Sequence, residues 1–185
     1  SLVGTQLDAY NEILGAIQNT DKENEKTVVV VKGGPGTGKS VIAMRLISGL
    51  AKTGKFKNVF YSTRSTSLVK GYTKILKNVS YANGKDGNTG MIKKNVAIKP
   101  FFSDKCKGES WIDALIVDEA HRIKNRQAAV SKAVIKLAHK IPNRLAITGT
   151  PAHDKPEDVF NILRFIDYNT FTSYYRFIEE WCEME

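Results

Sequence analysis

The sequence predicts a three-layer α/β domain with a parallel sheet and helices on both faces. Three observations predict it. Short apolar, β-branched runs alternate with amphipathic segments along the whole chain. The strand-like runs are apolar on both faces, as parallel strands buried between helices must be. The chain has 185 residues, 42% hydrophobic and 25% charged, which suits one globular domain with a sizeable core.

The elements follow in order. Residues 6–18 carry Leu7, Tyr10, Ile13, Leu14 and Ile17 at helical spacing. Residues 19–26 are polar and read as a loop, and residues 27–32 as a buried strand. Residues 39–52 form the next helix, residues 58–62 a strand, and residues 65–77 a helix opened by Ser or Thr. Residues 81–94 are rich in Gly, Asn and Lys and read as a loop, and 95–99 as a short strand. Residues 112–117 are the most apolar strand after the first. A helix over 126–140, a strand over 144–148 and helices over 156–166 and 172–183 complete the chain.

The net charge is +9, which suits a polyanionic partner such as nucleic acid or a merely solvated basic surface. Cys106 and Cys182 form no CxxC pair, so neither a zinc site nor a disulfide framework is indicated. Both are expected to be reduced, in a cytoplasmic protein. No apolar run approaches the ~18 residues of a membrane helix, and no signal peptide is seen. The chain opens at Ser1 rather than Met, as expected of a fragment.

Gly33-Gly34-Pro35-Gly36-Thr37-Gly38-Lys39-Ser40 satisfies the phosphate-loop pattern between a predicted strand and a predicted helix. Glycines let backbone N–H groups turn toward a phosphate, and the helix adds its positive N-terminal end. Lys39 is placed to reach the β- and γ-phosphates, and the Ser40 hydroxyl to ligate Mg²⁺. The expected ligand is ATP with Mg²⁺, cradled by Gly34, Pro35, Gly36, Thr37, Gly38, Lys39 and Ser40.

Residues 114–117 lead into Asp118-Glu119-Ala120-His121, an apolar strand ending in two carboxylates. Ligands of parallel sheets sit beyond the carboxyl ends of the strands. Asp118 is therefore expected to hold Mg²⁺ and Glu119 to act as general base on the attacking water. His121 is expected to link this site to a neighbouring element, the alternative being a plain surface or capping histidine.

Asp118-Glu119-Ala120-His121 resembles the DEAH form of the Walker B motif in superfamily 2 helicases. The following Arg122-Ile123-Lys124-Asn125 and the tract over 144–165 resemble the Swi/Snf-type helicase-like ATPases. The resemblance implies a RecA-like lobe. It also implies that Thr148, Gly149 and Thr150, in the run Thr-Gly-Thr-Pro, couple hydrolysis to DNA engagement. Where the family has an Asn shortly after this run, Asp154 stands as its candidate replacement.

The phosphate loop departs from the Gly-Leu-Gly-Lys-Thr usual in that family. With Gln6 upstream it is similar to superfamily 1 helicases and Schlafen-related bacterial helicase-like proteins. That likeness makes Gln6 a candidate reader of adenine, the alternative being a surface side chain on the first helix. Thr63, Arg64 and Ser65 follow the second strand, where helicases carry a DNA-contacting motif; a helix cap with a solvated Arg is the other reading. Lys70, Lys74 and Lys77 form a basic stripe behind them, with Lys85, Lys93 and Lys94 beyond.

The resulting expectation is one RecA-like ATP-binding lobe over 1–185, with a helical extension over 167–185. It would couple ATP hydrolysis to movement on nucleic acid, DNA first. The second RecA-like lobe, source of arginine fingers in the family, is not in this sequence, so the lobe alone should be weakly active. A P-loop NTPase acting on RNA or protein, and a nucleotide-gated binding module, are the alternatives.

Overall fold

In the computed structural model the described residues are 2–23, 33–34, 36–53, 55–56, 58–63, 65–82, 96–100, 113–152 and 155–182. Helix α1 (Thr5–Glu23) and helix α2 (Lys39–Lys52) precede strand β1 (Val59–Thr63). Helix α3 (Thr66–Ala82), β2 (Val96–Pro100) and β3 (Ala114–Asp118) follow. A 3₁₀ turn (Ala120–Ile123), α4 (Ala129–Ala138) and β4 (Asn143–Ile147) come next. A second 3₁₀ turn (Pro156–Val159), α5 (Phe160–Ile166) and α6 (Tyr174–Trp181) end the order. The expected strand over 27–32 and the loop lysines Lys85, Lys93 and Lys94 lie outside the described residues, as do Pro35, Arg64, Cys106 and Asp154.

The described strands form one parallel sheet in the order β2-β1-β3-β4. The chain steps outward from β1 to β2, returns to the other side of β1 as β3, and steps outward again to β4. The direction of winding therefore reverses between β1 and β3, where open α/β sheets place their ligands.

Alternation along the strands divides the core into two layers. Val59, Tyr61, Ala114 and Ile116 face α2, meeting Ile42, Leu46, Ile47 and Leu50. Phe60, Leu115 and Val117 face the other way, onto Val134, Ile135, Ala138, Ile162 and Phe165 of α4 and α5. Helix α1 lies on α2 and adds Ile13 to the first layer. Leu46, Ile47 and Leu50 are essentially fully buried, and each such side chain stabilises the fold by about 1.5–3 kcal/mol.

Several boundaries moved relative to the sequence reading. Helix α1 runs on to Glu23, through residues read as loop, and α3 runs to Ala82. The helix expected over 126–140 narrows to α4, because residues 126–128 form a turn whose Gln127 N–H donates to the Asn125 side chain at 3.0 Å. The helix expected from Pro156 opens as a 3₁₀ turn, and α6 starts only after Ser173, whose hydroxyl caps it.

Candidate nucleotide site

The phosphate loop takes its shape from backbone. Gly36 and Gly38 have φ of 75° and 86°, a region that penalises any Cβ. Thr37 Oγ1 donates to the Gly34 carbonyl at 2.9 Å. Lys39 Nζ donates to the Gly33 and Gly34 carbonyls at 2.9 and 2.6 Å, so its ammonium lies over the loop. Phosphate oxygens would offer Lys39 stronger, charge-assisted bonds than these neutral carbonyls.

Gln6 reaches this loop from α1. Its Nε2 donates to the Thr37 carbonyl at 3.1 Å, and its Oε1 accepts from the Val3 N–H at 3.4 Å. The packing is close, since a Cβ on Gly38 would stand 2.5 Å from Gln6 Nε2. Gln6 is a brace between α1 and the loop rather than a free surface side chain.

The carboxyl end of β3 meets the loop from the sheet. Asp118 is only 2% exposed. Its Oδ2 accepts the Ser40 hydroxyl at 2.9 Å and the Tyr61 hydroxyl at 2.5 Å, and its Oδ1 accepts the Glu119 N–H at 3.0 Å. Burial, reinforced by the bond and the negative charge of Asp118, pushes the Tyr61 hydroxyl far above its usual range, so Tyr61 donates at every working pH. Tyr72 of α3 packs edge-on against Tyr61 with ring centroids 5.7 Å apart, and burial raises its pKa too.

Glu119 is the only non-glycine with positive φ among the described residues, at 57°. This left-handed turn ends β3 abruptly and carries the Glu119 side chain into the open, 48% exposed. Such backbone strain gathers at functional sites. His121 Nδ1 lies 3.3 Å from Glu119 Oε2 and 3.1 Å from Thr148 Oγ1, joining the acidic turn to the end of β4. Thr148 Oγ1 also accepts the Thr150 N–H at 3.2 Å. Gly149 abuts the phosphate loop: a Cβ there would stand 3.0 Å from Lys39 Nζ and 3.4 Å from the Gly33 carbonyl oxygen.

Ser40 and Asp118 suit Mg²⁺. They are hard oxygen donors sharing one hydrogen bond, and Mg²⁺ commonly takes one or two protein oxygens plus phosphates and water. No group of three His, Cys, Asp or Glu side chains gathers among the described residues.

The turn after β1 needs a correction. Thr63 is fully buried and its Oγ1 accepts the Ser65 N–H at 3.4 Å, so it has no surface to offer a phosphate. Ser65 Oγ accepts the Leu68 N–H at 3.3 Å, which caps α3. Lys70 and Lys74 are exposed on the same helix.

Three contacts were not anticipated. Tyr61 holds the carboxylate expected to bind metal, yet reads in sequence as one more aromatic on a strand. The run after the acidic turn is fastened to the second 3₁₀ turn and to α5: Lys124 Nζ pairs with Asp158 of the turn at 2.9 Å, and Asn161 Nδ2 of α5 donates to the Ile123 carbonyl at 2.7 Å. The signal was present, since both ends of the Lys124–Asp158 pair lie in tracts already set aside as family-like.

The same tracts carry the comparison with known proteins. A family model described as the SNF2-related domain matches residues 36–185. The chain belongs to the SNF2-related domain family. The expectation of a Swi/Snf-type helicase-like domain, drawn from Asp118-Glu119-Ala120-His121 and the Thr148–Pro151 run, is met.

Among relatives, Protein CHROMATIN REMODELING 5 of Arabidopsis thaliana is 39% identical over 71 residues, 38% of this chain and 4% of that protein. DNA repair protein RAD5 of Gibberella zeae is 42% identical over 67 residues, 35% of this chain and 6% of that protein. The chain thus spans a small part of the length of these relatives. The structure titled Sulfolobus solfataricus SWI2/SNF2 ATPase core in complex with dsDNA superposes with a TM-score of 0.71 at 19% identity. It covers 98% of this chain and 39% of that one, which establishes the RecA-like α/β fold. The SNF2 match opens inside the phosphate loop, leaving Gln6 and α1 before it. No helix among the described residues is long and apolar enough to cross a membrane.

Proposed function

We propose that this SNF2-related lobe binds ATP with Mg²⁺ between the phosphate loop and the end of β3, and supplies the hydrolytic half of a motor that moves on DNA. The observation that carries the reading is the Ser40–Asp118 hydrogen bond, which brings two motifs 78 residues apart to one point. Lys39 and the backbone N–H groups of residues 36–40 hold the phosphates. Ser40 and Asp118 hold Mg²⁺, which offsets phosphate charge when bound. Glu119, exposed beside the site, takes a proton from water as it attacks the γ-phosphorus, leaving ADP and phosphate. His121 relays the state of this turn to Thr148, Gly149 and Thr150, and Gly149 lies where an added Cβ would stand 3.0 Å from Lys39 Nζ. Gln6 is a candidate for the adenine edge, which it would reach by giving up its bond to Val3.

DNA engages the α3 side through Lys70 and Lys74, with Arg64 and Ser65 as further candidates. A second RecA-like lobe supplies the cations that stabilise the transferring phosphoryl group. Phosphate release with and without duplex DNA tests this. The 185-residue chain should turn over near background, and the full-length protein should be stimulated by DNA. DNA-stimulated turnover by the chain alone refutes the need for a second lobe. A full-length protein stimulated by RNA or a protein instead refutes the DNA motor, and one that binds ATP without turnover is a nucleotide-gated binding module.

A further inference from the structure

On the sheet face opposite α2, helices α4 and α5 enclose a cleft of about 420 Å³. Neither the phosphate loop nor Asp118 lines it. Its walls carry Arg126, Lys132, Lys136, Lys140 and Arg164, and no carboxylate. Among the described residues none of these five cations is in an ion pair. Arg126 is instead stacked 4.0 Å over the Tyr174 ring, and Arg164 donates to the Tyr168 hydroxyl at 3.2 Å.

A second observation points to a ligand. Ser131 lines the same cleft, is 0% exposed, and its hydroxyl has no hydrogen-bond partner; the Arg164 Nε is likewise buried and unpartnered. Buried polar atoms are nearly always bonded, so unmade bonds beside an unpaired cationic wall suit an anion that accepts them.

We propose that this cleft binds the phosphate backbone of nucleic acid, as a contact surface separate from the α3 side. Its residue types, Arg, Lys, Ser, Asn and Tyr, are those that contact phosphate and sugar. Lys132 and Lys136 lie one helical repeat apart on α4, about 6 Å along its axis, and Lys140 follows in the turn just past its end, so the three offer a row of charges to successive phosphates of one strand. A peptide helix would need a row of apolar anchors, and here Ile135 is the only aliphatic lining residue. The inference rests on the reading of the protein as a nucleic-acid motor. It adds a second track on the far side of the sheet, joined to the acidic turn through Asn161, which lines the cleft and holds the Ile123 carbonyl.

The test uses full-length protein carrying Lys132→Ala, Lys136→Ala and Lys140→Ala together, three exposed positions outside the nucleotide site. Binding of labelled duplex DNA is followed by anisotropy between about 50 and 200 mM salt. The slope of log affinity against log salt should become shallower by about 2–3, with DNA-independent ATPase and melting temperature unchanged. A Lys70→Ala, Lys74→Ala variant reports the α3 side. An unchanged slope in the triple variant, with a shallower one in the α3 variant, overturns the cleft and leaves the motor standing. No DNA binding by the unmodified protein overturns both. A Glu-rich peptide whose binding is lost in the triple variant while DNA binding is kept overturns the proposal in favour of a protein partner.

Discussion

The phosphate loop and the end of β3 meet at one hydrogen bond and are built in opposite ways. The loop is shaped by backbone: two glycines at positive φ, carbonyls held by Lys39 and Thr37, and one brace from α1. The end of β3 is shaped by side chains: Asp118 is buried and held by Ser40 of α2, Tyr61 of β1 and the next N–H in its own chain. The loop can therefore adapt to a ligand by exchanging bonds to neutral carbonyls for bonds to phosphate, whereas Asp118 offers a fixed oxygen. One half of the site responds and the other sets the reference.

The largest effect should come from the responsive half. Lys39→Ala removes the charge that phosphates would bind, and charge-assisted bonds contribute about 1.5–3 kcal/mol each. With two such bonds lost, nucleotide affinity should fall by about 10²–10⁴ in calorimetry. Undiminished affinity would show that the loop holds phosphate by backbone alone.

Glu119→Gln separates the two carboxylates. It keeps the side-chain size and leaves Asp118 with all of its donors. Turnover in the full-length protein should fall by about 10²–10⁴, the range of a general base, with nucleotide affinity kept. Parallel loss of affinity would mean that Glu119 serves binding, and the division between a buried holder and an exposed base would fail.

The contrast also explains what could be read from sequence. A loop made by backbone writes itself locally: positive φ favours glycine, so Gly36 and Gly38 were legible at once, whereas Glu119 takes the same region without that mark. Asp118 was legible because an apolar strand ending in acids is a local pattern. Tyr61 was not, because its role depends on β1 lying beside β3, a register no short window contains. Thr63 failed for a related reason. Its alternation along β1 puts it on the same buried face as Val59 and Tyr61. The cleft between α4 and α5 was invisible because its walls come from separate helices that only the fold brings together.

The smallest effect tests the fixed half. Tyr61→Phe keeps the ring, its packing on Tyr72 and the volume, and removes only the donor to Asp118. Asp118 keeps Ser40 and the Glu119 N–H, so the loss should be roughly 1–2 kcal/mol, or about 4 °C in melting temperature. The alkaline limb tells this from a mere packing defect. The Tyr61 pKa is raised in the folded state, so its contribution is complete below about pH 10, the unfolded value, and declines as pH climbs toward the folded one. The unmodified protein should lose up to about 1.4 kcal/mol per pH unit above pH 10 on account of this one group. The Phe variant should be flatter by that amount, with the part due to Tyr72 remaining. Equal alkaline slopes in the two proteins would mean that Asp118 is not held by Tyr61, and that the rigidity of this half comes from Ser40 and the strand alone.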